Sequence, residues 1–199
     1  MTRTIDFYFD FPSPYAYLAH TQLPRIAAEH GATIVHRPFG VLELVKIVGN
    51  RPTTIECSNK NKYSGADLQR WVGRYKVDFS RNPHSKSFDY AELSRGALVA
   101  IEDGRGAEYA TAVFAAIWGK SEDLSRRSVL LEVLGGAGFD GERLLGRASA
   151  DAAIARLEVE TNAAAERGIF GAPTMFVDDR MYFGNDRLDF LVESLRSAA

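Results

Sequence analysis

Hydrophobic and polar positions alternate at the start of the chain. Ile5, Phe7 and Phe9 fall on one side of a short β-strand, with polar or mixed residues between them. Ser13-Pro14 then opens a helix, because serine is a favoured N-cap and proline at the first turn lacks only an N–H that would have no partner there. Tyr17, Leu18, Thr21, Ile26 and Ala27 lie roughly on one face of that helix. Pro24 predicts a kink about three turns in, and Gly31 is the expected C-cap. Thr33 to Arg37 reads as a second strand, stopped by Pro38. Two neighbouring strands joined by a helix of this length pair in parallel through a right-handed crossover.

Beyond Pro38 the pattern changes. Phe39 to about Ile47 forms a helix or a structured loop, Gly49-Asn50-Arg51-Pro52 is turn chemistry, and Asn59-Lys60-Asn61-Lys62 reads most simply as a solvated face. Leu68, Trp71, Val72 and Tyr75 fall at i, i+3, i+4 and i+7, the spacing of an amphipathic helix. A loop from Phe79 to Phe88, centred on Asn82-Pro83-His84, follows it. Further helical faces come at Leu93, Ala97, Leu98 and Ile101, then at Tyr109, Val113, Phe114 and Ile117, set apart by Gly104 and Gly119. Val129, Leu130, Val133 and Leu134 mark another, closed by Gly135-Gly136. The pairs Leu144 with Leu145 and Ile154 with Leu157 continue the helical interval to Gly168, and Ala148 to Ala165 is alanine-rich and helix-prone.

Strands return at the end. Pro173 to Val177 is one, Asp178-Asp179 a tight turn, and Met181 to Phe183 its hairpin partner. Gly184-Asn185-Asp186 opens a final helix with Leu188, Leu191, Val192 and Leu195 inward. The order is β-α-β, a long helical interval, then α-β-β-α: a small mixed sheet with helices on both faces, carrying a helical subdomain between its halves. Residues 1–38 and 169–199, with helix 150–168, are expected to form the sheet domain, and residues 39–149 the insertion.

Composition narrows the function. An apolar fraction of 46% supports a packed core, and a net charge of −2 gives no electrostatic reason to expect nucleic acid or a membrane surface as partner. The single cysteine, Cys57, excludes an intrachain disulfide and a CxxC redox pair. With no apolar signal core and no membrane-length apolar run, the chain reads as a soluble cytoplasmic protein. His20, His30, His36 and His84 show no ligand spacing, so no metal is expected. The candidate chemistry is at Ser13, a hydroxyl at the positive end of a helix dipole. That position either simply caps the helix or stabilises an anion such as phosphate, carboxylate or thiolate.

Four stretches carry a resemblance: Phe9-Asp10-Phe11-Pro12-Ser13-Pro14-Tyr15, Gly49-Asn50-Arg51-Pro52, Phe170-Gly171-Ala172-Pro173-Thr174 and Phe183-Gly184-Asn185-Asp186-Arg187-Leu188, with weaker support from Asp67 to Trp71 and Asn82-Pro83-His84. In this order and spacing the chain resembles the bacterial 2-hydroxychromene-2-carboxylate isomerases, which belong with kappa-class glutathione transferases and periplasmic disulfide oxidoreductases. The resemblance implies an α/β thioredoxin-like fold with a helical insertion and glutathione as cofactor. It places Ser13 where the oxidoreductases carry a cysteine, and Ala16 at their second cysteine. A serine cannot exchange disulfides, but it can donate a hydrogen bond to the glutathione thiolate.

The same resemblance implies a cis Pro173 that leaves the backbone of Ala172 free for the cysteinyl segment. Pro14 and Tyr15 flank the sulfur, Asn50 touches the peptide, and Asn185 and Asp186 hold the γ-glutamyl end. Lys46, Arg51 and His84 are expected at the substrate, a small aromatic keto acid. Tyr15, Phe11 and Trp71 are candidate ring walls, Trp71 reading better as core. The implied reaction is the cis–trans isomerisation of 2-hydroxychromene-2-carboxylate to trans-o-hydroxybenzylidenepyruvate in naphthalene degradation, by reversible conjugate addition of the thiolate. Relatives of this kind are often homodimers, but this sequence leaves the oligomeric state open. Thr53 to Tyr63, including Cys57, departs from the naphthalene enzymes beside the presumed substrate pocket. Two rivals remain at this point: a kappa-class-like glutathione transferase, and a non-catalytic thioredoxin-fold binding module.

Overall fold

Alternation and helix-start chemistry place the first three elements where expected. The computed structural model describes residues 3–51 and 56–196, and in it β1 (Arg3–Phe9) leads through Ser13 into α1 (Pro14–Glu29) and β2 (Ala32–Pro38). α1 runs through Pro24 without a break and closes at His30, after which Gly31 turns with φ +61°. The hairpin at the other end is β3 (Thr174–Val177) and β4 (Arg180–Phe183), with Asp178 at φ +55° in its turn. The sheet order is β2-β1-β3-β4, parallel between β1 and β2 and antiparallel elsewhere, so Phe7 lies opposite both His36 and Met175.

Between the halves run α2 (Val41–Ile47), α3 (Ser58–Tyr75), α4 (Tyr90–Glu102), α5 (Gly106–Phe114), α6 (Arg127–Gly136), α7 (Gly141–Ala148) and α8 (Asp151–Glu166), and α9 (Leu188–Arg196) ends the described chain. The Phe39–Ile47 ambiguity resolves as a helix. The basic run at residues 59–62 forms the exposed start of α3. The helical face expected to continue to Ile117 instead loosens into a π turn over Ala115–Gly119. The final helix starts later than expected: Asn185–Arg187 is a 3₁₀ turn, and α9 begins at Leu188. Pro52 and residues 53–55 lie outside the described residues.

The core follows from the alternation in β1. Phe7, Phe9 and Phe11 are fully buried and meet Tyr17, His20 and Phe114 in one aromatic cluster continuous with the apolar faces of α4 to α7. Tyr8 points to the opposite sheet face, where Phe39, Leu44, Ala164, Ile169 and Phe176 seat α2 and α8. Sheet residues thus hold helices on both sides, and the β1–α1 junction is fixed from each. Among the described residues no helix is long and apolar enough to cross a membrane.

Candidate active site

The β1–α1 turn is held by a buried carboxylate. Asp10 accepts from the N–H groups of Phe11 and Val41, each at 2.8 Å, and from the Ser94 hydroxyl at 3.0 Å. Burial pushes its pKa up to about 7, although these hydrogen bonds pull the other way. The Asp10 carbonyl accepts from the Ser13 N–H at 3.3 Å. Ser13 is therefore fixed in extended geometry (φ −89°, ψ 111°), and its Oγ accepts from the Ala16 N–H at 3.1 Å, capping α1. The same hydroxyl donates to the Ala172 carbonyl at 3.0 Å, and the Ala172–Pro173 bond is cis. Ser13 is half-buried, so its hydroxyl sits between a helix N-terminus and the proline loop, within reach of solvent.

This arrangement corrects one expectation. The Ala172 carbonyl is not free; Ser13 occupies it, because the serine oxygen caps α1 and its proton needs an acceptor. Asn50 is brought to the same loop, donating to the Phe170 carbonyl at 2.8 Å and accepting from the Arg51 N–H at 2.8 Å. Asn185 is buried, its carbonyl accepting from Tyr75 Oη at 3.0 Å. Asp186 is exposed, pairs with Arg187 at 2.5 Å, and lies back over Gly184, whose φ of +93° and missing Cβ leave room for the carboxylate.

A cavity of about 580 Å³ begins at Pro14 and Tyr15, directly after Ser13, and is walled by Leu68, Phe79, Pro83 and Trp118. Phe79 and Trp118 stack at 5.8 Å and 7°, and the indole donates to the Phe11 carbonyl at 3.0 Å. The π turn carries Trp118, whose carbonyl accepts from Ser80 N–H at 2.6 Å. Buried Asn82 pins the 79–88 loop by donating to the carbonyls of Ile117 and Glu122 at 3.2 and 2.8 Å. Tyr15 Oη donates towards Ser64 O and Asp67 Oδ2 at 3.3 and 3.4 Å. Burial, reinforced by Asp67, pushes its pKa up to about 12, so it stays protonated at neutral pH.

The residues expected at the substrate, Lys46, Arg51 and His84, do not line this cavity. Lys46 pairs with Glu43 at 2.7 Å and its side chain is 70% exposed; Arg51, 78% exposed, lies 3.8 Å from Glu56. Neither lines the cavity. Pro83 and Ser85 do, but the intervening His84 has Nδ1 at 3.7 Å from Asp123 Oδ2. Of the candidate ring walls only Tyr15 lines the cavity: Phe11 is core, and Trp71 borders a separate groove of about 200 Å³ with Tyr75 and Asn185. Sequence reasoning missed Phe79, Trp118 and the cations Arg81 and Lys86. The only signal was that both cations border the Asn82-Pro83-His84 motif. No group of three or more potential metal ligands comes together among the described residues.

Residues 4–196 match the family described as a DSBA-like thioredoxin domain. A 2-hydroxychromene-2-carboxylate isomerase from Sphingobium xenophagum is 38% identical over 192 residues, covering 96% of this chain and 97% of that protein. The chain belongs to the 2-hydroxychromene-2-carboxylate isomerase family. A solved structure of a 2-hydroxychromene-2-carboxylate isomerase superposes with a TM-score of 0.87 at 33% identity, covering 96% of this chain and 94% of that one. Glutathione S-transferase kappa 1 of Caenorhabditis elegans is a more distant relative of this isomerase family member, 25% identical over 205 residues, or 96% and 90% of the two chains. The thioredoxin fold expected from the motifs is the fold observed.

Proposed function

We propose that this chain isomerises 2-hydroxychromene-2-carboxylate to trans-o-hydroxybenzylidenepyruvate with glutathione as its cofactor. The observation that carries the reading is the Ser13 hydroxyl, capping α1 beside the cis Ala172–Pro173 bond and followed directly by Pro14 and Tyr15, which line an aromatic-walled cavity. These residues fit the tripeptide's sulfur: a half-exposed hydroxyl donor at a helix N-terminus favours an anion, and with Ser13 and Ala16 the start of α1 carries no thiol of its own. Ser13 would hold the sulfur, the Ala172–Pro173 segment the cysteinyl backbone, Asn50 the peptide, and Asn185 with Asp186 the γ-glutamyl end. When bound, glutathione supplies a thiolate nucleophile able to add to a conjugated double bond and leave again.

The chain's own residues do the rest. Ser13 turns its proton from the Ala172 carbonyl to the sulfur, which frees that carbonyl for the peptide. Tyr15 Oη, protonated at neutral pH, offers a hydrogen bond at the cavity wall. Phe79 and Trp118 give the ring a flat apolar bed. Purified protein with catalytic glutathione is expected to convert 2-hydroxychromene-2-carboxylate to its trans keto acid without consuming the thiol. A lasting thioether with an electrophilic aromatic, with the chromene left unchanged, would replace the isomerase by a kappa-type transferase.

A further inference from the structure

The geometry points to Arg81 and Lys86 as the residues that hold the carboxylate of an aromatic acid in the cavity beside Ser13; this rests on the isomerase reading only for the identity of that acid. Both residues line the cavity and are exposed. Among the described residues neither has an acidic partner, whereas Lys46 and Arg51 each lie beside a glutamate. Leu68, Phe79, Pro83 and Trp118 form the apolar part of the wall, with the uncharged Tyr15, Ser64, Asn82 and Ser85 beside them, so a ligand seated there would set its ring against Phe79 and Trp118 and meet positive charge at its carboxyl end. Asp67, which bears on Tyr15 nearby, is engaged by the phenol.

Two features hold the cations in place. Asn82, next to Arg81, ties the loop to the carbonyls of Ile117 and Glu122. The Arg81 guanidinium itself rests against Gly65 of α3: a Cβ added there would lie 2.8 Å from Nη2. Lys86 sits in the short 3₁₀ turn Ser85–Ser87, at the other end of the same loop. A planar fork and a point charge together suit a carboxylate approached from two sides.

Gly65 supplies a test that keeps the charge. Alanine is a better helix former than glycine, so Gly65→Ala leaves α3 intact while displacing the guanidinium. The chain has two tryptophans, so Trp71→Phe leaves Trp118, in the cavity wall, as the only reporter. In that background, quenching of Trp118 by benzylidenepyruvate and by its methyl ester gives two dissociation constants. The acid is expected to bind about tenfold or more tighter than the ester. Arg81→Met with Lys86→Met removes that preference and Gly65→Ala reduces it, the ester constant staying within about twofold in each. An acid no tighter than the ester in the parent, or a preference that survives the double substitution, overturns the assignment.

Turnover separates the two readings. An Arg81-dependent acid preference in a protein that leaves 2-hydroxychromene-2-carboxylate unchanged with glutathione sinks the isomerase and keeps the cation site. Turnover with an unaltered preference in the double variant sinks the cation site alone.

Discussion

Acidification acts on buried Asp10 and His20 and half-buried His36 in opposite directions, and Asp10→Asn separates them. His20 and His36 lie in the aromatic core beside Phe7; burial lowers their pKa values to about 3 and about 4, with the neighbouring His36 adding to the effect on His20 and Glu108 opposing it on His36. The unfolded chain therefore binds protons that the native chain refuses, and stability is lost as pH falls below about 6.5. Asp10 does the reverse. Its pKa is raised to about 7, so the native form takes the proton first and stability is gained as pH falls from about 7 towards 4. Between about pH 7.5 and 4.5 each histidine removes about 3 kcal/mol and Asp10 returns about 3, for a net loss of about 2–3 kcal/mol. Asparagine does not titrate, so Asp10→Asn should lose about 5–6 kcal/mol over the same interval. Urea unfolding at the two pH values, in both proteins, reads this slope. A constant cost of the lost hydrogen bond to Val41 cancels between the two pH values. Equal slopes in the two proteins would refute the reasoning, since Asp10 would then carry no proton in that window.

Two further substitutions probe packing and the loop. Gly96→Ala places a methyl group against the hydroxyl of Tyr109, which is fully buried and donates to Leu93 O at 3.0 Å. Overpacking should outweigh the gain in helix propensity and cost about 1–3 kcal/mol in urea unfolding. Asn82→Ala leaves the carbonyls of Ile117 and Glu122 without this donor, at about 1–3 kcal/mol, and frees the cavity loop. Steady-state kinetics should show KM for the chromene rising more than kcat falls.

How far the sequence reached depends on whether a signal is local. The β1–α1–β2 unit was legible because alternation at Ile5, Phe7 and Phe9 meets Ser13-Pro14, and Gly31 needs its positive φ. The capping position of Ser13 at the β1–α1 junction follows from the same residues. The start of α3 was hidden because its first turns, around residues 59–62, are exposed and polar; the apolar face begins only at Leu68. Asn185 and Asp186 look like helix-cap residues, yet Tyr75 from α3 holds the first in a 3₁₀ turn before α9. Of the cavity only Tyr15 and the Asn82-Pro83-His84 loop were legible. Residues 14–15, 64–68, 79–86 and 118 come together only through packing, so the aromatic pair Phe79–Trp118 and the cations Arg81 and Lys86 have no shared spacing to betray them.

Ser13 is proposed to keep a bound thiol ionised through its hydroxyl. The direct measurement is an ultraviolet difference titration of glutathione bound to the wild-type protein and to Ser13→Ala. A free thiol ionises near pH 8.5, and bound to the wild type it should absorb as thiolate below about pH 8. Removing a hydrogen bond to a charged sulfur should raise that midpoint by about 1–2 units in Ser13→Ala. Superimposable titrations of the two proteins would mean that Ser13 does not stabilise the thiolate.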